Sequence, residues 1–152
     1  MTEVREGGLD HPATTALLLQ HFDRMLQHSP CGSCHFLDLT ALAAPGVTFW
    51  TAWDGDALLG CGAMKLIAPG HGEIKSMRTA DTALRRGVAS ALLEAIVARA
   101  KALGLERLSL ETGSGEPFAA AQALYARHGF EACGPFGTYE VTEFNRYMTR
   151  AV

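Results

Sequence analysis

The chain has 152 residues, 48% hydrophobic and 19% charged, the size and composition of one soluble domain, residues 1–152, with enough apolar material for a sizeable core. Thirteen lysines and arginines against sixteen acids give a formal net charge of -3, without the basic footprint that a nucleic-acid backbone demands, so no nucleic-acid partner is expected. Met1 to Gly8 holds Glu3, Arg5 and Glu6 and no apolar signal core, and the most apolar helical stretch is broken by Glu94, Arg99 and Lys101, so a cytoplasmic protein with no membrane partner is expected.

Along the chain, Thr2 to Gly7 reads as a short strand. From Pro12, the apolar residues Leu17, Leu18, Phe22, Met25 and Leu26 recur at helical spacing, with Asp10 as the expected cap. Ser29-Pro30-Cys31-Gly32-Ser33 is a break, and His35 to Ala43 reads as a second, shorter helix that ends before Pro45-Gly46. Cys31 and Cys34 form a Cys-x-x-Cys with no second such pair, so free thiols in a reducing compartment are expected rather than a structural zinc site. Val47 to Trp53 alternates with β-branched and aromatic residues, Asp54-Gly55-Asp56 supplies turn chemistry, and Ala57 to Ile67 resumes as a strand, which makes a hairpin. A second turn at Ala68-Pro69-Gly70-His71-Gly72 returns the chain into the strand Glu73 to Thr79.

The next stretch, Leu84-Arg85-Arg86-Gly87-Val88-Ala89-Ser90, puts a small-residue turn and two arginines at the start of an apolar-periodic helix. The first turn of a helix has backbone N–H groups without intrahelical partners and carries partial positive charge, and glycine lets a ligand approach the main chain, so the stretch reads as a phosphate cradle. Val88, Ala91, Leu92, Ala95, Ile96 and Leu103 form a wide stripe suited to covering a sheet, with Gly104 at the cap. Leu108 and Leu110 then alternate with polar residues in a strand that, following a crossover helix, should pair parallel to Glu73–Thr79. Gly113 to Pro117 is a turn, Ala119 to Arg127 a helix ending at His128-Gly129, and Phe130–Cys133 and Phe144–Thr149 are closing strands.

This order of strands, phosphate turn, helix, strand, and a helix ending Leu124-Tyr125-Ala126-Arg127-His128-Gly129-Phe130 resembles the GNAT superfamily of acyl-CoA-dependent N-acyltransferases, most strongly from Glu73 to Phe130. The resemblance implies an α/β fold: a mixed sheet of about six to seven strands with an antiparallel amino half and a splayed parallel central pair, flanked by about four helices. It implies acetyl-CoA as acyl donor and no metal. The family's phosphate motif is Gln or Arg, two residues, Gly, one residue, then Gly or Ala; Gly87 and Ala89 match it, whereas Leu84 departs from its first place. Because most contacts of that motif are backbone N–H groups, Leu84, Arg85, Arg86, Gly87, Val88, Ala89 and Ser90 are still expected to hold the pyrophosphate.

The same resemblance implies that the pantetheine arm pairs with the edge of the strand before the phosphate turn, at Met77, Arg78 and Thr79, taking main-chain hydrogen bonds that a splayed sheet leaves free. Tyr125 falls where many members keep the tyrosine that protonates the departing thiolate. Glu73 is the candidate base for the attacking amine, with Lys75 on the same strand face; a nearby ammonium makes it a poorer base and a better electrostatic partner, and a solvated salt bridge is the competing expectation. Glu111 and Tyr139 are expected in the wall of the acceptor pocket. His35, His71 and His128 have the chemistry of bases, but surface or capping positions in a turn and at a helix end are expected for the last two.

The expected activity is transfer of acetyl to a primary amine of a small acceptor by direct attack in a ternary complex; the alternative is a non-catalytic acyl-CoA-binding sensor of the same fold. A nucleotide enzyme is disfavoured because no phosphate-binding glycine motif of the P-loop or dinucleotide type follows a strand. Exposed strand edges make a homodimer reasonable.

Overall fold

The computed structural model describes residues 1–28 and 39–152. The Cys31/Cys34 pair, the break around it and the first half of the expected second helix lie outside the described residues. In chain order the elements are β1 (Glu3–Glu6), α1 (Pro12–His28), α2 (Leu39–Leu42), β2 (Val47–Asp54), β3 (Ala57–Ala68), β4 (His71–Thr79), α3 (Val88–Ala102), β5 (Arg107–Thr112), α4 (Glu116–Arg127), β6 (Glu131–Cys133) and β7 (Arg146–Ala151). A short 3₁₀ turn, Asp81–Ala83, links β4 to the loop before α3.

The strands form one sheet in the order β1-β2-β3-β4-β5-β7-β6. Neighbours are antiparallel except β4 and β5, which run parallel as the crossover through α3 requires. The last strand inserts between β5 and β6 rather than adding to the edge. Both faces of the sheet are covered, which is why its central strands read as nearly continuous apolar runs. On one face, Leu92, Leu93 and Ile96 of α3 pack with Trp50, Leu59, Met64, Ile74, Leu108 and Leu110; Tyr125 and Phe130 close the same cluster. On the other, Leu17, Leu18 and Leu42 from α1 and α2 pack with Phe49, Cys61 and Ala63. Fully burying a side chain such as Leu18 or Leu92 contributes roughly 2 kcal/mol, so these two layers dominate what holds the sheet between its helices.

Local chemistry sets the element ends. His11, not Asp10, caps α1: its Nδ1 accepts from the Ala13 N–H at 3.0 Å, and its ring lies edge-on to Trp53. A ring nitrogen one position nearer the helix serves an orphan donor as well as a carboxylate would. At the far end of α3 the Leu103 and Leu105 N–H groups bond to the Arg99 and Ala100 carbonyls, and Pro117 occupies the first turn of α4. His71 is in β4 rather than in the turn before it, with its Nε2 2.7 Å from Ser109 Oγ. Cys61 and Cys133 are free thiols, and burial pushes the Cys61 thiol up to about 12. Among the described residues no helix is long and apolar enough to cross a membrane.

Candidate active site

The site begins with a failure of strand pairing. β4 and β5 pair from His71 with Arg107 to Ile74 with Leu110 and then part, so Lys75–Thr79 has β3 on one side and no strand on the other. A bulge helps to turn β4 away. The register skips between Cys61 opposite Arg78 and Ala63 opposite Lys75, and Ser76 sits in the left-handed region at φ 56°. Opposite the bulge is Gly62, where a Cβ would lie 2.5 Å from Met77 Sδ; the absence of a side chain makes room for the bulged residues. The Ser76 carbonyl accepts a weak bond from Cys61 Sγ at 3.4 Å, while its buried hydroxyl has no partner among the described residues.

Between the parted strands lies a cavity of about 430 Å³ that reaches both faces of the sheet. α1 contributes His21, Arg24, Met25 and His28, and β4 contributes Glu73 to Arg78. The end of β5 adds Glu111 and Thr112, and α4 adds Pro117, Phe118, Ala121 and Tyr125. Phe144 and Asn145 complete the wall, Phe144 lying edge-on to Phe118 at 5.3 Å.

Tyr125 is buried on the α4 side, its ring edge-on to Phe130 at 5.8 Å. Burial raises the pKa of its phenol well above the usual tyrosine value, so the group holds its proton throughout the physiological range. On the α1 side Glu73 and Lys75 are both buried, which corrects the expectation of a solvated pair. Glu73 Oε2 accepts from Lys75 Nζ at 3.2 Å and from the Tyr139 hydroxyl at 2.7 Å, and Lys75 Nζ also donates to the Tyr139 oxygen at 2.8 Å. Two buried charges and one half-buried phenol thus satisfy one another. Burial, followed by the bond to Glu73, pushes the Tyr139 phenol strongly upward, and burial with the Glu111 charge pushes Tyr147 up to about 12. Glu111 accepts from Asn145 Nδ2 at 2.7 Å. Of the expected wall residues, Glu111 lines the cavity, and Tyr139 reaches it through Glu73 and Lys75.

The arginines form a third group. Arg24 Nη1 donates to Asp81 Oδ1 at 2.8 Å and Arg24 Nη2 to Oδ2, while Arg78 Nη2 approaches the same carboxylate at 3.4 Å. Burial and the neighbouring Arg78 charge hold the His21 imidazole down at about 4. Sequence reading missed Ser76, His21, Arg24, Phe118 and Asn145. Gly60 and Gly62 inside β3 were the available signal for the bulge, since glycine within a strand marks a close backbone approach; the polar face of α1 carried none, because any amphipathic helix has one.

At the start of α3 the cradle has the form that an anion needs. Leu84 is extended, Arg85 and Gly87 are left-handed at φ 63° and 77°, and no side chain caps the helix. A Cβ at Gly87 would meet nothing within 4 Å, so the main chain can be approached closely at this glycine. Arg85 and Arg86 are exposed beside it; Arg86 reaches Asp54 at 3.5 Å, and Ser90 Oγ lies 3.1 Å from a His128 ring nitrogen. These residues suit a diphosphate: several main-chain donors, a helix dipole and two exposed cations. His128 is therefore tied to the cradle rather than to the cavity, consistent with a role other than base.

A sheet parted between its parallel strands, an uncapped helix start on one side of the opening and a two-faced cavity define the acyl-CoA-dependent N-acyltransferase architecture. The chain belongs to the Acetyltransferase (GNAT) family, whose model matches residues 15–130, and is an acyltransferase. It is 47% identical to the uncharacterized N-acetyltransferase YedL of Escherichia coli (strain K12) over 98% of this chain and 94% of that one. It is also 47% identical to the uncharacterized N-acetyltransferase YsnE of Bacillus subtilis (strain 168), over 89% of each. A crystal structure of a Bacillus subtilis acetyltransferase in complex with CoA superposes with a TM-score of 0.71 at 17% identity, covering 100% of this chain and 99% of that one.

Proposed function

We propose that the protein transfers the acetyl group of acetyl-CoA to a primary amine of a small acceptor by direct attack within a ternary complex. The observation that carries this is the opening of the sheet beyond Ile74 and Leu110 into a cavity with Tyr125 on one side and Glu73 on the other. Two reactants approaching from opposite faces can meet only there, and holding them together supplies much of the rate.

The donor's diphosphate bridge is assigned to the main chain of Leu84 to Ser90 with Arg85 and Arg86 alongside. Its pantetheine arm is assigned to the free edge of Met77, Arg78 and Thr79, since its amides complement an unpaired strand. That lays the thioester beside the bulge, where a backbone N–H of the β4 edge left without a β5 partner is assigned to polarise the carbonyl. Tyr125, kept protonated by burial, donates to the departing thiolate. Proton removal from the amine passes to Glu73 directly or through water. The carboxylate already accepts from Lys75 and Tyr139, which fixes its position.

The test is steady-state kinetics on Tyr125→Phe with calorimetry of acetyl-CoA binding. Loss of the acid lowers kcat by about 10²-fold or more while the Kd for acetyl-CoA stays within a factor of about two. Unaltered kcat removes Tyr125 from the mechanism, and failure of the wild-type protein to bind acetyl-CoA removes the whole assignment.

A further inference from the structure

The part of the cavity between α1 and the second half of β4 does work that amine acetylation alone does not require. Two guanidinium groups, Arg24 and Arg78, share one carboxylate, Asp81, leaving one positive charge in excess. The tight pair is Arg24 with Asp81; Arg78 touches it only at 3.4 Å, and its Nε is buried without a partner among the described residues. A buried donor left unpaired costs about 1–3 kcal/mol, so such an atom is normally matched by something bound. Ser76 Oγ, two residues earlier on the same cavity wall, is likewise buried and unpartnered among the described residues. At the opposite end of the cavity the charges already have partners: Glu73 is held by Lys75 and Tyr139, and Glu111 by Asn145. The excess charge and the open donors therefore coincide at one end.

We propose that this end is a carboxylate subsite and that the acceptor is a free amino acid or close analogue, whose carboxylate is bound by Arg78 with support from Arg24 and Ser76. The inference rests on the ternary-complex reading above. An α-amino acid carries its amine and carboxylate on the same carbon, so a carboxylate held by Arg78, which lines the cavity together with Ser76, keeps the amine within that cavity. Nε with one Nη of Arg78 offers the planar fork that a carboxylate matches, which a lysine could not. His21 beside it is uncharged and can donate one further hydrogen bond. A peptide or protein amino terminus lacks a carboxylate next to the amine and would leave the Arg78 donor unmatched.

The experiment compares each of the common L-amino acids with its own carboxamide as acceptor, following release of free CoA from acetyl-CoA. The expected result is at least one amino acid with kcat/KM ten or more times that of its carboxamide, a ratio that falls at least tenfold in Arg78→Gln and partly recovers in Arg78→Lys. Arg24→Gln, a change on the α1 wall of the cavity rather than in the sheet, lowers the same ratio and guards against a folding defect at Arg78. In parallel, calorimetry on the CoA-loaded protein measures N-acetyl amino acids against N-acetyl amino acid amides, which needs no turnover; the acids should bind more tightly, and Arg78→Gln should erase the difference. Carboxamides or short peptides that match the free acids overturn the inference, as do variants that lower acid and amide alike. Binding of acetyl-CoA with no acid preference in either assay defeats this inference alone, whereas absence of acetyl-CoA binding defeats the catalytic reading and this one with it.

Discussion

Single residues in the opened sheet are held by partners far away in the chain, and their removal has calculable consequences. Lys75 is buried against Glu73 and Tyr139, so replacing it with Met leaves a buried carboxylate with one donor fewer. Breaking a buried pair from one side costs about 3–5 kcal/mol, whereas removing both charges is far cheaper. Lys75→Met should therefore lose about 3 kcal/mol in urea unfolding, and the double change Glu73→Gln with Lys75→Met should regain most of it; equal losses in the two would show that the pair is not coupled. His21 gives a pH signature. Above pH 6.5 it is neutral in both the folded and the unfolded chain. As the pH falls, the unfolded chain takes up a proton that the folded chain, with His21 held near 4, does not, so stability declines from pH 6.5 towards 4. The decline attributable to this group is on the order of 3 kcal/mol. Comparing unfolding midpoints at pH 7 and 4.5 should show a smaller drop in His21→Asn than in the natural protein, and identical drops would reject the assignment.

At the scale of elements, what could be read from the sequence was what neighbours in the chain decide. The glycine turn before α3, the crossover through α3, the parallel pairing of β5 and the position of Tyr125 at the end of α4 all rest on spacings within a few residues or on chain topology. What escaped reading came from pairings across the chain: Tyr139 meets Glu73 and Lys75 from more than sixty positions away, and Arg24 meets Asp81 across 57. The bulge at Ser76 escaped because serine is an uncommon left-handed residue, and its cause, Gly62, is on the neighbouring strand. The turn before α3 is the most testable of the legible elements. Gly87 sits at φ 77° with nothing within 4 Å of a Cβ, so Gly87→Ala introduces backbone strain of roughly 1–2 kcal/mol without a clash inside the protein. Its methyl group occupies the space assigned to the donor's diphosphate. Calorimetry should find acetyl-CoA affinity weakened at least tenfold, well beyond what a surface change of this size does elsewhere, and unchanged affinity would move the diphosphate away from this turn.

Across the whole molecule, the two parts of the sheet are joined at its centre by the parallel register of His71–Ile74 with Arg107–Leu110. On one side are β1 to β4 under α1, α2 and α3, and on the other β5, β7 and β6 with α4. A donor gripped at the start of α3, laid along the free edge of β4 and touching Tyr125 on α4 would span the opening and fasten both parts. A ligand that binds only the native state adds RT ln(1 + [L]/Kd), about 2.7 kcal/mol at a concentration of 100 Kd. For a chain of this size each kcal/mol raises the melting temperature by roughly 2–4 °C, so acetyl-CoA at that concentration should raise it by about 5–10 °C. ATP and NAD should give no comparable rise, because they lack the pantetheine arm that crosses the gap. Dephospho-CoA, which keeps the arm and the diphosphate, should retain most of the rise. Amide exchange measured in the same complex should slow at Lys75–Thr79 and Leu84–Ser90 together. Slowing at the turn alone would mean that the diphosphate is held there while the arm does not run along β4, and the bridge between the two parts of the sheet would be refuted.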